Sequence, residues 1–236
     1  MNKQPRQKLS FYILRAILRL VKKKPTIINR NERLEQQAIF ISNHSAANGP
    51  ITLSAFFPVI CRPWGIHLMN DGWKARWNYL YHTFYQQKLK YRKGKAFIMA
   101  TLLSVISGLA YYAIRLIPSY TDYRLKKTLE ISLEHLAMEQ PILIFPEDSA
   151  DGYHEVLKTY FPGFVVLAKA FYQRHKQDIP IYTVYFHSKK NIIVIDKPCF
   201  LHQEQFKDLN KEEIAAYFKN RTNELGQSVL KEKEEK

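Results

Sequence analysis

The sequence predicts an α/β protein: a single domain with a mixed, mainly parallel sheet flanked by helices, plus an N-terminal amphipathic helix. The first observation behind this is an alternation of short β-prone runs with stretches of helical periodicity along the 236 residues. The second concerns two of those runs, Ala38-Ile39-Phe40-Ile41 and Pro141-Ile142-Leu143-Ile144. Each leads to a residue able to exchange a proton: His44 behind Ser42-Asn43, and Glu147 behind Phe145-Pro146. Open α/β sheets assemble their sites at the carboxyl ends of strands in this way. The third is composition: a chain 46% apolar and 14% aromatic carries enough material for one substantial core, which excludes disorder. Residues 1–30 read as a basic amphipathic, membrane-surface segment, 31–205 as the α/β domain, and 206–236 as a charged C-terminal helix and tail.

The first element is a helix over Lys8–Lys23. Lys8, Arg15, Arg19 and Lys22 fall on one stripe, and Leu9, Tyr12, Ile13, Ala16, Ile17, Leu20 and Val21 fill the broader opposite face, until Pro25 ends it. Such a helix either docks on its own domain or lies in the plane of a membrane. The cluster Lys22-Lys23-Lys24 favours the membrane, because each cation near anionic lipid contributes about 1 kcal/mol. A strand over Gln37–Ser42 follows, then a turn through Gly49-Pro50 into a helix from Ile51, then an apolar run, Phe56–Ile60, leading into Arg62-Pro63-Trp64-Gly65.

The stretch Trp73–Lys95 is both aromatic and basic. It reads as a solvated helix face over core aromatics, or as interfacial anchoring by Trp and Tyr. A base-stacking surface for nucleic acid is a further alternative, unaccompanied by any RNA- or DNA-binding motif. Residues Ala96–Ile114 carry no charge, and 19 residues make a helix of about 28 Å, borderline for crossing a bilayer. A single crossing there would separate His44 from Glu147, so the segment reads as a buried or partly membrane-dipping helix. Next come a helix over Tyr123–Glu139, a strand over Ile142–Phe145, a loop over Glu147–Tyr160 and a helix over Gly163–Gln173. Strands over Pro180–Phe186 and Asn191–Ile195, joined by the turn His187–Lys190, precede a charged helix from Asn210 that frays into Lys231–Lys236.

A net charge of +15 calls for a polyanionic partner: an anionic membrane surface, a nucleic acid or a phosphorylated substrate. Two cysteines, Cys61 and Cys199, imply no disulfide framework and fit a reducing, cytosolic location. No Cys/His spacing suggests a metal site. Arg15 and Arg19 interrupt the first apolar stretch and no small-residue cleavage site follows, so residues 1–24 do not read as a secretory leader.

His44, just past a strand and beside a helix start, is placed to act as a general base. Asn43-His44 matches the start of an N-H-x-x-x-x-D motif, and Phe145-Pro146-Glu147 matches the start of F-P-E-G-T. Between them Ile117-Pro118-Ser119-Tyr120 echoes I-P-V-x-R. Downstream, Pro162-Gly163 opens an apolar helix, and Ile179-Pro180-Ile181-Tyr182-Thr183-Val184 follows as a strand. In these motifs, over about Ala38 to Tyr185 and in the same order, the chain resembles the glycerophospholipid acyltransferases typified by 1-acyl-glycerol-3-phosphate acyltransferase.

The resemblance implies transfer of an acyl group from acyl-CoA or acyl carrier protein to a lysophospholipid or glycerolipid-like hydroxyl at the cytoplasmic side of a membrane, by a peripheral or monotopic protein. It implies no metal, no cofactor and no covalent acyl-enzyme. His44 takes the role of base, and Glu147 that of positioning the acceptor.

The chain departs from the pattern in two respects, one lost acid and three lost cations. The Asp that orients the histidine falls at Gly49, with Asn48 adjacent, four residues after His44, as a candidate amide partner. Asp71, Asp148 and Asp151 are further acids that the fold could bring near. The family's acceptor-phosphate cations fall at Thr121, Ala150 and Phe161, so the acceptor-binding set becomes Glu147 and Asp148 with other cations, Arg115, Arg124 or Lys158. Two competing readings are a catalytically degenerate lipid-binding relative, motivated by these losses, and a nucleic-acid-binding protein, motivated by the charge.

Overall fold

A computed structural model of the chain describes residues 7–231; the extreme C-terminal stretch expected to fray falls outside them apart from Lys231. Strands β1 (Thr26–Asn29), β2 (Ile39–Ser42), β3 (Arg62–Ile66), β4 (Ile117–Ser119), β5 (Ile142–Ile144), β6 (Ile181–His187) and β7 (Ile192–Cys199) form one sheet. Its spatial order is β1-β7-β6-β2-β5-β3-β4. Five neighbours, β6, β2, β5, β3 and β4, run parallel, whereas β7 returns antiparallel to β6 and β1 lies parallel to β7. The mixed, mainly parallel sheet of an α/β protein is therefore present. Ile39 pairs with Ile142 and Ile41 with Ile144, so β2 and β5 end side by side.

The sheet is covered on both faces. Alternation along β2 sends Ile39 and Ile41 into a core shared with α5 (Leu125–Ala137), α6 (Gly163–His175) and α7 (Lys211–Lys231). Ala38 and Phe40 go to the other face, against Leu53 and Phe57 of the α2 (Asn48–Phe56) region.

Three strands lay outside the sequence reading. β1 is four residues long behind a proline, and β3 and β4 each contain a proline, which reads as a turn signal. β4 is an edge strand, where a missing N–H costs least. The charged C-terminal helix is part of the core: Ile214, Ala215, Phe218, Leu225 and Val229 of α7 are buried.

Helix α1 (Leu9–Val21) turns its basic stripe toward the protein. Arg15 donates to the carbonyls of Ala55 (2.9 Å) and Phe57 (2.8 Å), Arg19 to Ala55 (2.8 Å), and Lys22 to Asn48 Oδ1 (2.8 Å). The cause is local: the last carbonyls of α2 lack helical partners, and guanidinium groups satisfy them and complement the helix dipole. The apolar face is left outward, with Leu9 74% and Leu20 86% exposed.

Beside α1, with Lys8 over the Tyr112 ring at 3.2 Å, lies α4 (Lys93–Ile114). It is long and apolar enough to cross a membrane, yet its buried residues are few and mostly small: Ala96, Ala100, Ser104 and Ala113, with Ile114 at its end. Phe97, Ile98, Leu102, Val105, Ile106, Leu109 and Tyr112 face outward. The aromatic residues preceding it, in α3 (Trp73–Asn78) and a π-helix over Tyr79–Lys88, pack on its inner side; Trp77 donates to Thr101 Oγ1 at 3.0 Å.

Candidate active site

β2 is buried along its whole length and delivers Asn43 and His44 to the rim of the sheet. Asn43 is clamped to β6: its amide donates to the Phe186 carbonyl (3.0 Å) and accepts from the Phe186 N–H (2.8 Å). The chain then reverses through Ser45 and Ala46, both left-handed at φ 47° and 53°, before α2 begins. That reversal brings the Ala46 carbonyl to 2.5 Å from His44 Nδ1. A carbonyl only accepts, so Nδ1 carries the hydrogen and Nε2 is left with the basic lone pair. Gly49 makes the turn possible, because a Cβ there would collide with the His44 carbonyl oxygen. At the position where the motif it resembles carries an aspartate, this backbone admits no side chain.

From the neighbouring strand, Glu147 is almost completely buried, and its Oε2 accepts the His44 backbone N–H at 2.9 Å. The two residues that motivated a shared site therefore meet directly. Glu147 holds the His44 turn as well as facing the site, and the His154 N–H is its second backbone donor. Burial raises its pKa, opposed by those two hydrogen bonds and by His154 and Lys88. The His44 ring lies against Phe145 (5.1 Å between centroids) and stacks on Tyr153 (4.9 Å). Desolvation by these neighbours holds its pKa down to about 4, with the Ala46 carbonyl opposing and the Lys88 charge reinforcing.

Other residues singled out in the sequence have different partners. Asn48 donates to Ser188 Oγ (2.5 Å) and accepts from Lys22, so among the described residues the ring's hydrogen-bond partner is the Ala46 carbonyl, not this amide. Asp71 pairs with His67 (2.6 Å) and Asp151 with Lys158 (2.8 Å). Asp148 accepts the Ala150 N–H at 3.0 Å. Arg124, at the exit of β4, is held by Asp122 through contacts of 2.7, 3.0 and 3.1 Å and lies over the Tyr120 ring.

The residue that sequence reasoning passed over is Lys88, one cation among many in a basic stretch. Placed at the end of the π-helix, it donates to Ser149 Oγ at 2.7 Å and lies 5.7 Å from the Tyr153 ring centre. π-Helical turns are frequent at functional sites, and the Lys88 charge that this one carries acts on both His44 and Glu147. Helix α7 steadies the same loop: Asn223 bonds both backbone groups of Leu157, and Thr222 bonds the Tyr160 hydroxyl.

Among solved structures, the 1-acyl-sn-glycerophosphate (LPA) acyltransferase PlsC from Thermotoga maritima is similar over 93% of this chain and 79% of its own, with a TM-score of 0.55 at 9% identity. The chain has an acyltransferase-like fold. No family model matches the sequence, and no curated protein does. At such low identity the likeness is one of architecture: a sheet whose parallel strands end at a common rim, where His44 and Glu147 stand.

Proposed function

We propose that this protein is an acyltransferase that moves a fatty acyl group from acyl-CoA or acyl carrier protein to a lysophospholipid or glycerolipid-like hydroxyl, using His44 as general base. One observation carries the reading: the His44 imidazole, its Nδ1–H held by the Ala46 carbonyl, sits on a turn fastened to Glu147 at 2.9 Å. In this mechanism Nε2 takes the acceptor's hydroxyl proton as the oxygen attacks the thioester carbonyl. The tetrahedral adduct collapses with loss of the thiolate, which receives the same proton from the imidazolium. An ester and a free thiol result. Catalysis requires the neutral imidazole, which desolvation favours. The carbonyl does what an orienting side chain does elsewhere, fixing the tautomer without adding a charge.

The substrate class agrees with the surface. Two adjacent helices, α1 and α4, turn large apolar side chains outward, and Lys23 and Lys24 are exposed beside them. Exposed apolar area on this scale marks an interaction surface. Anionic membrane is the partner we assign to it, with the protein peripheral or monotopic on the cytoplasmic side. The aromatic rings of the basic stretch pack largely against α4, a use that leaves few of them for stacking on bases. The test is turnover of purified protein with acyl-CoA or acyl carrier protein and lipid acceptors in liposomes, read as thiol release and acylated product. His44→Ala is expected to lower kcat by about 10²–10⁴-fold. Equal turnover by the variant, or none by the wild type across donors and acceptors, overturns the proposal.

A further inference from the structure

We infer that the acceptor bound at this rim presents an uncharged or cationic polar end rather than a phosphate, and that Asp148 sets that selectivity. The inference rests on the acyl-transfer reading above and narrows its acceptor. The chain's net charge of +15 suggests an appetite for anions, but the cations in the loops after the strand ends point the other way. Arg124, at the exit of β4, is neutralised by three contacts to the Asp122 carboxylate, the closest 2.7 Å. In the loop after β5, Lys158 is matched by Asp151 at 2.8 Å. Lys88 is bonded to Ser149 and lies in the field of both Asp148 and Glu147.

Asp148 adds a carboxylate next to Glu147, half-buried and fixed by the Ala150 N–H at 3.0 Å. A phosphate placed here meets the Asp148 and Glu147 carboxylates, whose field already falls on Lys88, and like-charge juxtaposition at a partly desolvated site is strongly unfavourable. A glycerol hydroxyl or an ammonium group instead finds acceptors.

The test measures binding by calorimetry for three lipids of equal chain length below their micellar concentrations: a monoacylglycerol, a lysophosphatidate and a long-chain amino alcohol. Wild-type protein is expected to bind the monoacylglycerol or the amino alcohol at least tenfold more tightly than the lysophosphatidate. Asp148→Asn, close in shape, is expected to narrow that ratio to about threefold. Lysophosphatidate binding as tightly as the uncharged lipid overturns the inference, as does its loss on Lys88→Ala or Lys22→Ala, which would reveal a phosphate site. A ratio unmoved by Asp148→Asn removes that residue's role. The preference without acyl transfer to any of the three leaves this inference standing and defeats the acyltransferase reading, so the two fail separately.

Discussion

At the residue scale, the decisive substitution is of a backbone group for a side chain. His44 is oriented by the Ala46 carbonyl, and the price is a left-handed pair, Ser45 and Ala46, stabilised only by the surrounding structure. Restoring the missing carboxylate by Gly49→Asp is therefore expected to damage the protein: the new Cβ collides with the His44 carbonyl. A fall in melting temperature with loss of activity is the expected result, and a more active, equally stable variant would show that the turn is laid out differently. The ring's environment also sets a pH dependence. An ordinary imidazole protonates near 6.5, whereas His44 is held at about 4, so the ring proposed as base stays neutral well into acid. The acid limb of kcat/KM is expected near pH 4 rather than pH 6.5, measured over a range in which the protein stays folded. The sign for stability follows from the same shift. Between those values the unfolded chain binds a proton that the folded chain does not, so this group lowers stability as pH falls through the window.

At the element scale, helical periodicity identified α1 as amphipathic and read its stripes correctly, but not which stripe faces the domain. The cations face inward because α2 ends in unpaired carbonyls that Arg15 and Arg19 satisfy. The same limitation applies to α4, for which a charge-free run was compatible with burial or with lipid; its outward face carries Leu109 at 73% exposure. Replacing Leu20 and Leu109 together by Lys is expected to leave stability within about 0.5 kcal/mol, because both side chains are exposed. Co-sedimentation with anionic liposomes should fall severalfold. Unchanged sedimentation would separate these helices from membrane binding.

At the scale of the whole molecule, the helix expected to be a charged appendage closes one face of the sheet. Removing residues from 211 onward strips Ile214, Ala215, Phe218, Leu225 and Val229 from buried positions and takes Thr222 and Asn223 from the loop behind Glu147. Such a truncation is expected to lose its cooperative urea transition; a sharp one would mean that the sheet is complete without α7. The α/β class, the central strands and the strand-end placement that brings His44 and Glu147 close were legible in the sequence. Hydrophobic runs and strand-end placement depend on local composition, which the chain displays directly. Proline-bearing β3 and β4, the inward turn of α1's cations, the Ala46 carbonyl and Lys88 were decided only by the tertiary structure. A backbone carbonyl leaves no mark in sequence, and one lysine among many is distinguished only by what lies within hydrogen-bonding reach.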